Sequence, residues 1–458
     1  QLRNQLIILI YLNFKNMKTM LMRASMLAVL FSGVISAQDT TTSMRDYLAP
    51  EKASRNVFED PKGASPEFDG VKVSVGGDFA LQFQSLDHST EAPSLGTVGT
   101  TTTPNTLQVM GSDFNLPTAN LDLNAYLAKG VKMHLRTYLS ARHHNEAWVK
   151  GGYIQIDDLD FIKEGFAANI MKHARVKVGM DEINYGDYHF RRSDNAETIN
   201  NPFVGNFIMD NFSTEAFGEG YLFYNNFIGM VGVSNGKLNQ TAVKGTNWNS
   251  PSVYAKLGYD KQISEDLRVR LTGSFIQTNG LSTGGYLYNS DRAGGRYYYV
   301  LLTQNDAMGT SNYATGRFNP GFKKMKAFQV NPFVKYQGLE FFGAYEYVTG
   351  NKASGLTERP TDGDYTQFAA ELLYRFGNKE QFYFGGRYNS ISGQDDDVSA
   401  ERKIDRFNIA GGWFMTKNIL AKVEYVNQKY NNDPVWGTTS ALRGGKFNGL
   451  MFEATIGF

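Results

Sequence analysis

The most restrictive feature of the chain is a run in which apolar and polar residues alternate strictly. In VKMHLRTYLSARHH, residues 131–144, every second residue from Val131 to Ala141 is apolar or small. The residues between them are Lys132, His134, Arg136, Tyr138, Ser140 and Arg142. A period of two predicts a β-strand with one apolar and one basic face. A sheet of such strands needs an apolar medium on one side and water on the other.

Composition agrees with a sheet of many strands. The 458 residues include 47 glycines, aromatic residues make up 14%, and only 41% are hydrophobic, which favours strands and turns over packed helices. The absence of cysteine excludes disulfides, thiolate metal sites and a cysteine nucleophile. A net charge of +1 gives no indication of a nucleic-acid partner.

The N-terminal region predicts export. Residues 1–16 precede the first methionine and are interpreted as an upstream translation artefact. Residues 17–37 carry a positive segment, a short apolar segment and the small residue Ala37, the pattern of a signal peptide. Residues 38–70 are polar and are interpreted as a periplasmic leader. No later apolar run is long enough for a membrane helix, so 71–458 is the predicted folded unit.

Sixteen strands are predicted in this unit, at 71–86, 117–127, 131–143, 147–157, 174–183, 215–224, 227–235, 251–260, 266–278, 325–336, 339–349, 365–376, 381–390, 404–415, 419–430 and 447–458. Long and short connections alternate between them. This rhythm predicts an all-β fold, a transmembrane antiparallel up-and-down β-barrel of about 16 strands. The strand-like segment 294–304 is placed in a long loop, because another strand would break the alternation.

The last strand supports a membrane barrel. Leu450, Phe452, Ile456 and Phe458 share one face, and the terminal LMFEATIGF resembles the assembly signal of bacterial outer-membrane barrels. Further aromatic residues fall near strand ends, where interfacial girdles form. They are Tyr259, Tyr336, Tyr374, Phe376 and Trp413.

The predicted inner faces are basic. They carry fourteen lysines and arginines against eight acids, an excess of six, and therefore predict a preference for anions. In the alternative, these cations pair with lumen carboxylates or lipopolysaccharide and set no selectivity. The predicted anion-lining residues are Lys132, His134, Arg136, Arg142, Arg175, Lys177, Arg191, Arg192, Arg268 and Arg270. Glu219 lies on the aromatic side of its strand, which suggests a bulge there.

The long loop 184–214 is the candidate constriction. It begins with charged residues that include Arg191 and Arg192, and its apolar Phe203, Phe207 and Ile208 require burial. Folding into the lumen would bury them and place the arginines at the narrowest point. Packing over the barrel mouth is the alternative.

The same region carries a second resemblance. AWVKGGYIQIDDLDF, ARVKVGMDEINYGDYHFRRSDN and GYLFYNNFIGMVGVSNG, within 147–236, together resemble the phosphate-selective porin O and P family. The resemblance implies a porin in the bacterial outer membrane that passes small hydrophilic or anionic solutes, phosphate among them. The family's phosphate-binding lysines cannot be placed on this chain.

No cofactor, metal site or catalytic step is predicted. Adjacent His143 and His144 point to opposite faces of a strand and do not converge on a metal. Outer-membrane lipid and lipopolysaccharide are the expected surroundings, and association into a homotrimer stays open. The alternatives are an outer-membrane barrel enzyme or secretion accessory barrel with a plugged lumen, for which the leader is too short to provide the plug, and a secreted soluble β protein.

Overall fold

The computed structural model describes residues 58–140, 147–192, 198–236, 251–278, 286–289, 297–308, 315–353, 360–431 and 433–458. The predicted signal peptide, the first part of the leader and Arg142 lie outside the described residues.

The predicted strands are all present, with ends shifted by a few residues. Sixteen are long and one, β2, has two residues. In chain order they are β1 Lys72–Ser89, β2 Asp113–Phe114, β3 Thr118–Ala128, β4 Val131–Ser140, β5 Ala147–Ile156, β6 Ala174–Glu182, β7 Thr214–Tyr224, β8 Phe227–Ser234, β9 Ser252–Gln262, β10 Leu267–Thr278, β11 Lys324–Tyr336, β12 Leu339–Asn351, β13 Gly363–Phe376, β14 Phe382–Gln394, β15 Arg402–Thr416, β16 Ile419–Asn431 and β17 Lys446–Gly457.

The long strands form one closed antiparallel sheet. From β3 to β17 each strand pairs with its sequence neighbours, and β1 closes the ring by pairing with both β3 and β17. Residues Asp78 to Ser89 of β1 pair with Gly457 to Lys446 of β17. The fold is the predicted transmembrane up-and-down barrel. Both ends of the barrel sheet lie at the end that carries the short connections, called here the short-turn end.

The additional strand β2 is a displaced piece of β3. Phe114 of β2 pairs with Phe83 of β1, and Thr118 of β3 pairs with Ala80, so the register shifts by one residue between them. Pro117 lies in this interruption and has no N–H to donate to a neighbouring strand. The sheet therefore has sixteen positions around the ring although seventeen strands are counted.

The outer surface is an apolar band. Along β17, Leu450, Phe452 and Ile456 are between 43% and 47% exposed, whereas Met451 and Glu453 face inward and are buried. Other strands show the same alternation, with the outward residues Phe79, Leu121, Val178, Leu222, Val231, Leu257, Leu271, Phe328, Leu372 and Ile409. Such a band suits a hydrocarbon environment.

Aromatic residues collect on the outer surface at the short-turn end. Tyr336, Tyr374, Phe376, Trp413 and Phe458 are each more than 40% exposed, and Tyr259 is half-buried. The Phe382 ring lies 5.6 Å from Phe376 and 6.0 Å from Trp413 between ring centroids. This is the arrangement predicted for an interfacial girdle.

Helical structure is minor in the described part of the chain. It consists of the α-helices Ala168–Met171 and Tyr286–Asn289 and the 3-10 turns Tyr188–Arg191 and Asp433–Trp436. None of the described helices has the length and apolar character to cross a bilayer. Residues 297–304 form loop structure and not a barrel strand, as expected.

Candidate functional site in the lumen

Strand alternation turns polar and charged side chains into the lumen. On β4, His134 and Arg136 are buried, while Met133 and Leu135, which alternate with them, are half-buried on the outer face. Arg136 Nε donates to Asp122 Oδ1 on β3 at 2.8 Å, and His134 Nδ1 lies 2.7 Å from Asn124 Oδ1. Basic side chains therefore line this wall, but the arginine already has a carboxylate partner.

In the connection between β6 and β7, residues 183–213, the described parts 183–192 and 198–213 fold into the barrel. Phe203, Val204, Ile208 and Met209 are completely buried. The Tyr185 hydroxyl donates to Glu346 on β12 at 3.1 Å, and the Asp187 N–H donates to Asn331 on β11 at 3.0 Å. We call this segment the inward loop.

The far part of the inward loop is fixed to the wall by a carboxylate. Glu424 on β16 accepts hydrogen bonds from the backbone N–H groups of Val204 and Gly205, at 2.8 and 3.1 Å. The Tyr297 hydroxyl donates to the other oxygen of Glu424 at 2.8 Å. Arg387 on β14 donates to the Gly205 carbonyl at 2.6 Å and to Glu371 at 2.7 Å. The inward loop thus lies along strands β11 to β16.

Contact with the inward loop removes this wall from water. The inward polar residues of β11 to β16 are fully buried, namely Asn331, Glu346, Gln367, Asn389, Asn408 and Glu424. The opposite wall keeps partial exposure, with Asp122 at 8% and His134 at 7%. Lys132, Tyr153 and Lys177 are half-buried there. The remaining lumen space therefore adjoins β3 to β6.

The two arginines of the predicted constriction are buried and paired. Arg191 Nη2 lies 2.9 Å from Glu371 Oε2, and its guanidinium lies over the Phe342 ring at 4.3 Å. Arg192 Nη2 lies 2.8 Å from Asp210 Oδ2 within the same loop. The loop folds inward as expected, but it places both guanidinium groups on carboxylates.

A second long connection, between β10 and β11, covers the end of the lumen opposite the short-turn end. Its described residues 297–308 and 315–322 reach from one wall to the other. The Tyr298 N–H donates to Gln84 on β1 at 2.9 Å, and Arg406 on β15 donates to the Gly316 carbonyl at 2.5 Å. Phe318 N–H donates to the Ile208 carbonyl at 2.8 Å, so this segment also rests on the inward loop.

The described part of the leader, 58–70, enters the lumen from the short-turn end. Phe58 is buried against Phe190 and Phe333, and the Arg270 guanidinium lies over its ring at 4.1 Å. Glu59 Oε2 lies 2.7 Å from Arg270 Nη2, and Glu59 Oε1 lies 3.0 Å from Lys256 Nζ. The leader and the described parts of the two long connections thus lie together inside the lumen.

The next leader residues contact β5 and β6. Arg175 donates to the Asp60 carbonyl at 2.8 Å, and Lys62 Nζ donates to the Asp157 carbonyl at 2.6 Å. Burial raises the pKa of the Asp60 carboxyl although Arg175, Lys132 and Lys177 oppose the shift. For Glu59, burial would raise the pKa, but Arg270 and Lys256 together hold it well below its usual range. The leader therefore brings two acids to the basic lining.

The predicted lining residues fall into three groups. Lys132, His134, Arg136, Arg175 and Lys177 lie on the β4 to β6 wall, Arg191 and Arg192 lie in the inward loop, and Arg268 and Arg270 lie on β10. Arg268 pairs with Asp260 at 2.7 Å, and Arg270 pairs with Asp187 at 2.9 Å. The structure thus separates residues that the sequence treated as one lining.

The expected excess of six positive charges refers to all inward-facing strand residues, and the buried residues are only part of that set. Among the described residues, eleven lysines and arginines are buried together with thirteen acids. The sequence count covered strands alone, so it omitted Asp187 and Asp210 of the inward loop as well as Arg191 and Arg192, and it assigned Glu219 no inner position. Glu219 in fact faces inward beside Tyr221 and Phe217, and β7 pairs with β6 and β8 without a register shift, so no bulge is present.

Metal chemistry finds no support in the described residues, where no group of three histidines and acids could hold an ion. The missed site residues are in the leader, and the signal for them was an aromatic residue followed by two acids, Phe58 to Asp60, in an otherwise polar segment.

No protein-family model matches the chain, and no curated protein matches its sequence. Among solved structures, the chain is similar to OmpT, an outer membrane protein of Vibrio cholerae in trimer form, with 9% identity and a TM-score of 0.49 over 85% of this chain and 100% of that one. It is similar to the outer membrane channel DcaP of Acinetobacter baumannii, with 13% identity and a TM-score of 0.48 over 86% and 100%. It is also similar to an anion-selective porin from Comamonas acidovorans, with 9% identity and a TM-score of 0.48 over 85% and 100%. These identities and TM-scores are too low to assign a function, which is inferred below from the lumen itself.

Proposed function

We propose that the chain is a porin of the bacterial outer membrane, a passive diffusion channel for small hydrophilic solutes that performs no catalytic step. The observation that carries the proposal is the polarity of the wall: an apolar outer band encloses a lumen of charged and hydrogen-bonding side chains. A barrel with this polarity is suited to hold water inside a membrane. The half-buried residues Lys132, Tyr153 and Lys177 mark the side on which solutes would pass.

We propose further that small anions, phosphate among them, are preferred. Lys177 Nζ lies 4.0 Å from the centre of the Tyr153 ring, and no described carboxylate lies within ion-pair distance of it. The buried acids of the lumen mostly contact arginine or lysine, as Asp122 contacts Arg136. Because a narrow, low-dielectric passage strengthens the field of a nearby charge, Lys177 would influence a passing ion more than the paired groups.

Single-channel recording in a planar bilayer tests both parts. The purified protein should show discrete conductance steps, and in a salt gradient its reversal potential should indicate anion preference. K177Q should shift the reversal potential toward cation selectivity. The shift should be largest at low salt, because the Debye screening length increases as the salt concentration falls. K72Q is the matched control, since Lys72 pairs with Asp69 near the sheet edge. Absence of conductance contradicts the channel, and an unchanged potential in K177Q contradicts its role in selectivity.

A phosphate preference has its own measurement. Phosphate added to a chloride solution should reduce chloride current through a site that binds phosphate more tightly. Equal behaviour of phosphate and sulfate would contradict a specific preference for phosphate while leaving the anion channel intact.

The filled lumen favours a second candidate, a plugged barrel that serves secretion or catalysis. Its support is the complete burial of the inward residues of β11 to β16 beneath the inward loop. Such a barrel would conduct only after the plug moves. Conductance at low voltage, without denaturant or partner protein, separates the channel from this candidate.

The proposal places the barrel among outer-membrane lipid and lipopolysaccharide, in agreement with its apolar band. It also includes association into a homotrimer. Chemical cross-linking in native membranes, followed by electrophoresis without heating, should give a trimer band, and a monomer band alone would contradict that part.

A further inference from the structure

The leader contributes one carboxylate to a pocket built almost entirely by the barrel. Glu59 is 4% exposed in its side chain and occupies a space formed by Arg270 of β10, Lys256 of β9 and Asn184 of the inward loop. Its Oε2 accepts from Arg270 at 2.7 Å. Its Oε1 accepts from Lys256 at 3.0 Å and from Asn184 Nδ2 at 3.2 Å. Both carboxylate oxygens are thus held by donors from other parts of the chain.

The donors of this pocket are held in place without Glu59. Arg270 makes two further hydrogen bonds to Asp187, at 2.9 and 3.0 Å, and one to Asp260 at 3.1 Å. Lys256 also donates to the Gly186 carbonyl at 2.7 Å and to Asn184. Because these contacts lie within the barrel and its loop, the two cations would keep their positions if the leader left. The pocket is therefore preorganised for a carboxylate.

Charge and burial would make the empty pocket attract an anion. Arg270 and Lys256 are each 1% exposed. Asp187 lies between them, and Asp260 is shared with Arg268. Without Glu59 the two buried cations keep Asp187 as the only carboxylate in contact with both of them among the described residues. A buried cation that loses a partner is costly to leave unpaired, so another anion should enter.

We propose that Arg270, Lys256 and Asn184 form a binding site for small carboxylates inside the lumen, and that Glu59 of the leader occupies it as a tethered substitute for the solute. The inference rests on the proposed channel for its place in transport. The binding site itself does not require conduction. A solute carboxylate and the leader would compete for the same donors, so carboxylates would favour release of the leader from the short-turn end.

Rescue of a vacated site tests the binding. In E59A the missing carboxylate should lower the unfolding temperature of the detergent-purified protein, and added acetate should restore part of the loss, by about 2 to 4 °C. Acetate should not stabilise the wild type, in which Glu59 fills the site, to the same extent. E67A is the matched control, because Glu67 is an exposed leader carboxylate. Equal responses of E59A and E67A to acetate would overturn the proposal.

A second variant separates the site from a general salt effect. E59A/K256Q should lose the acetate response because it lacks one of the two cations, and E59A/R270Q gives the same information if K256Q does not fold. Chloride at equal ionic strength should not replace acetate. An acetate response that persists in both double variants, or that chloride reproduces, contradicts a built carboxylate site.

Measurements of single-channel conductance test whether the carboxylate site acts in transport. E59A should conduct more than the wild type, and succinate should block the current through E59A in a concentration-dependent way. The double variant E59A/K256Q should not be blocked. If acetate binds E59A but no variant conducts, the carboxylate site stands and the channel proposal fails. If E59A conducts and acetate has no effect on its stability, the channel stands and the carboxylate site is refuted.

Discussion

Arg192 and Asp210 lie in the two described parts of the inward loop, 183–192 and 198–213, and form a bidentate ion pair. Arg192 Nε lies 3.1 Å from Asp210 Oδ1, and Nη2 lies 2.8 Å from Oδ2. The guanidinium also lies over the Phe212 ring at 3.9 Å. Both residues are 2% exposed. The pair joins the first described part of the loop to the residues that precede β7.

Because the bidentate pair is buried, we expect the effects of mutating Arg192 and Asp210 on the position of the loop to be coupled. R192S leaves Asp210 buried without its principal partner, which costs about 3 to 5 kcal/mol. We expect R192S and D210N each to increase current noise and loop proteolysis. The double variant R192S/D210N should lie closer to the wild type in both measurements. Independent, additive effects would contradict the coupling.

The close approach of the inward loop to Tyr297 predicts a strong effect of one added methyl group. Gly205 has no room for a Cβ, which would overlap the Tyr297 hydroxyl and lie 3.4 Å from Glu424. G205A should therefore displace the loop from Glu424 and raise single-channel conductance. G218A is the matched control, because no atom lies within 4 Å of a Cβ at Gly218. Conductance equal in the two variants would show that the loop is not fixed there.

The absence of cysteine makes the topology directly measurable. V398C lies in a connection between β14 and β15 and is placed at a position that is 86% exposed. N378C lies in a short turn between β13 and β14. In intact cells, a membrane-impermeant maleimide should label V398C and spare N378C until the outer membrane is opened. Labelling of N378C but not V398C in intact cells would show that the barrel has the opposite orientation.

The terminal residue is tied to the first strand. The Phe458 N–H donates to the Gly77 carbonyl at 3.0 Å, and the Gly77 N–H donates to the Phe458 carbonyl at 3.1 Å. Its ring is 71% exposed on the outer surface, so its removal costs little packing. Deleting Phe458 should reduce the folded, heat-modifiable fraction in membranes more than it lowers the stability of protein that has folded. Normal insertion of the deletion variant would contradict a role in assembly.

The ion pairs of Glu59 predict how leader docking depends on pH. Arg270 and Lys256 lower the pKa of Glu59 against the effect of burial, while Asp187 shares both cations. The docked leader therefore binds fewer protons at Glu59 than the free leader. The contribution of the Glu59 ion pairs to leader docking is complete above the ordinary glutamate pKa of about 4.3. It is lost as the pH falls through the lower pKa of Glu59 in the docked leader. Proteolysis of the leader should stay constant from neutral pH to about 5 and increase below 4, and E59Q should remove this increase.

The sequence predicted the wall of the barrel well because strand alternation is a local property. Each residue of β4 or β17 faces lipid or lumen according to its parity, and the girdle aromatics follow from strand ends. The contents of the lumen depend instead on contacts between distant segments, such as Glu424 with Val204 and Glu59 with Arg270. No period relates these residues, so their pairing was not predictable. The count of lumen charges was incomplete for this reason, since it covered the wall without the segments that lie inside it.

The pairing of the first strand with the last sets the order in which the chain can be completed. Asp78 meets Gly457, and Ser89 meets Lys446, across almost the entire length of the polypeptide. Contacts of such high order form slowly and only after the C-terminus is available. Until then β1 and β16 expose unpaired backbone donors and acceptors that invite association with other chains. A polypeptide that lacks β17, Lys446–Gly457, therefore presents two open sheet edges, and only this strand can close them.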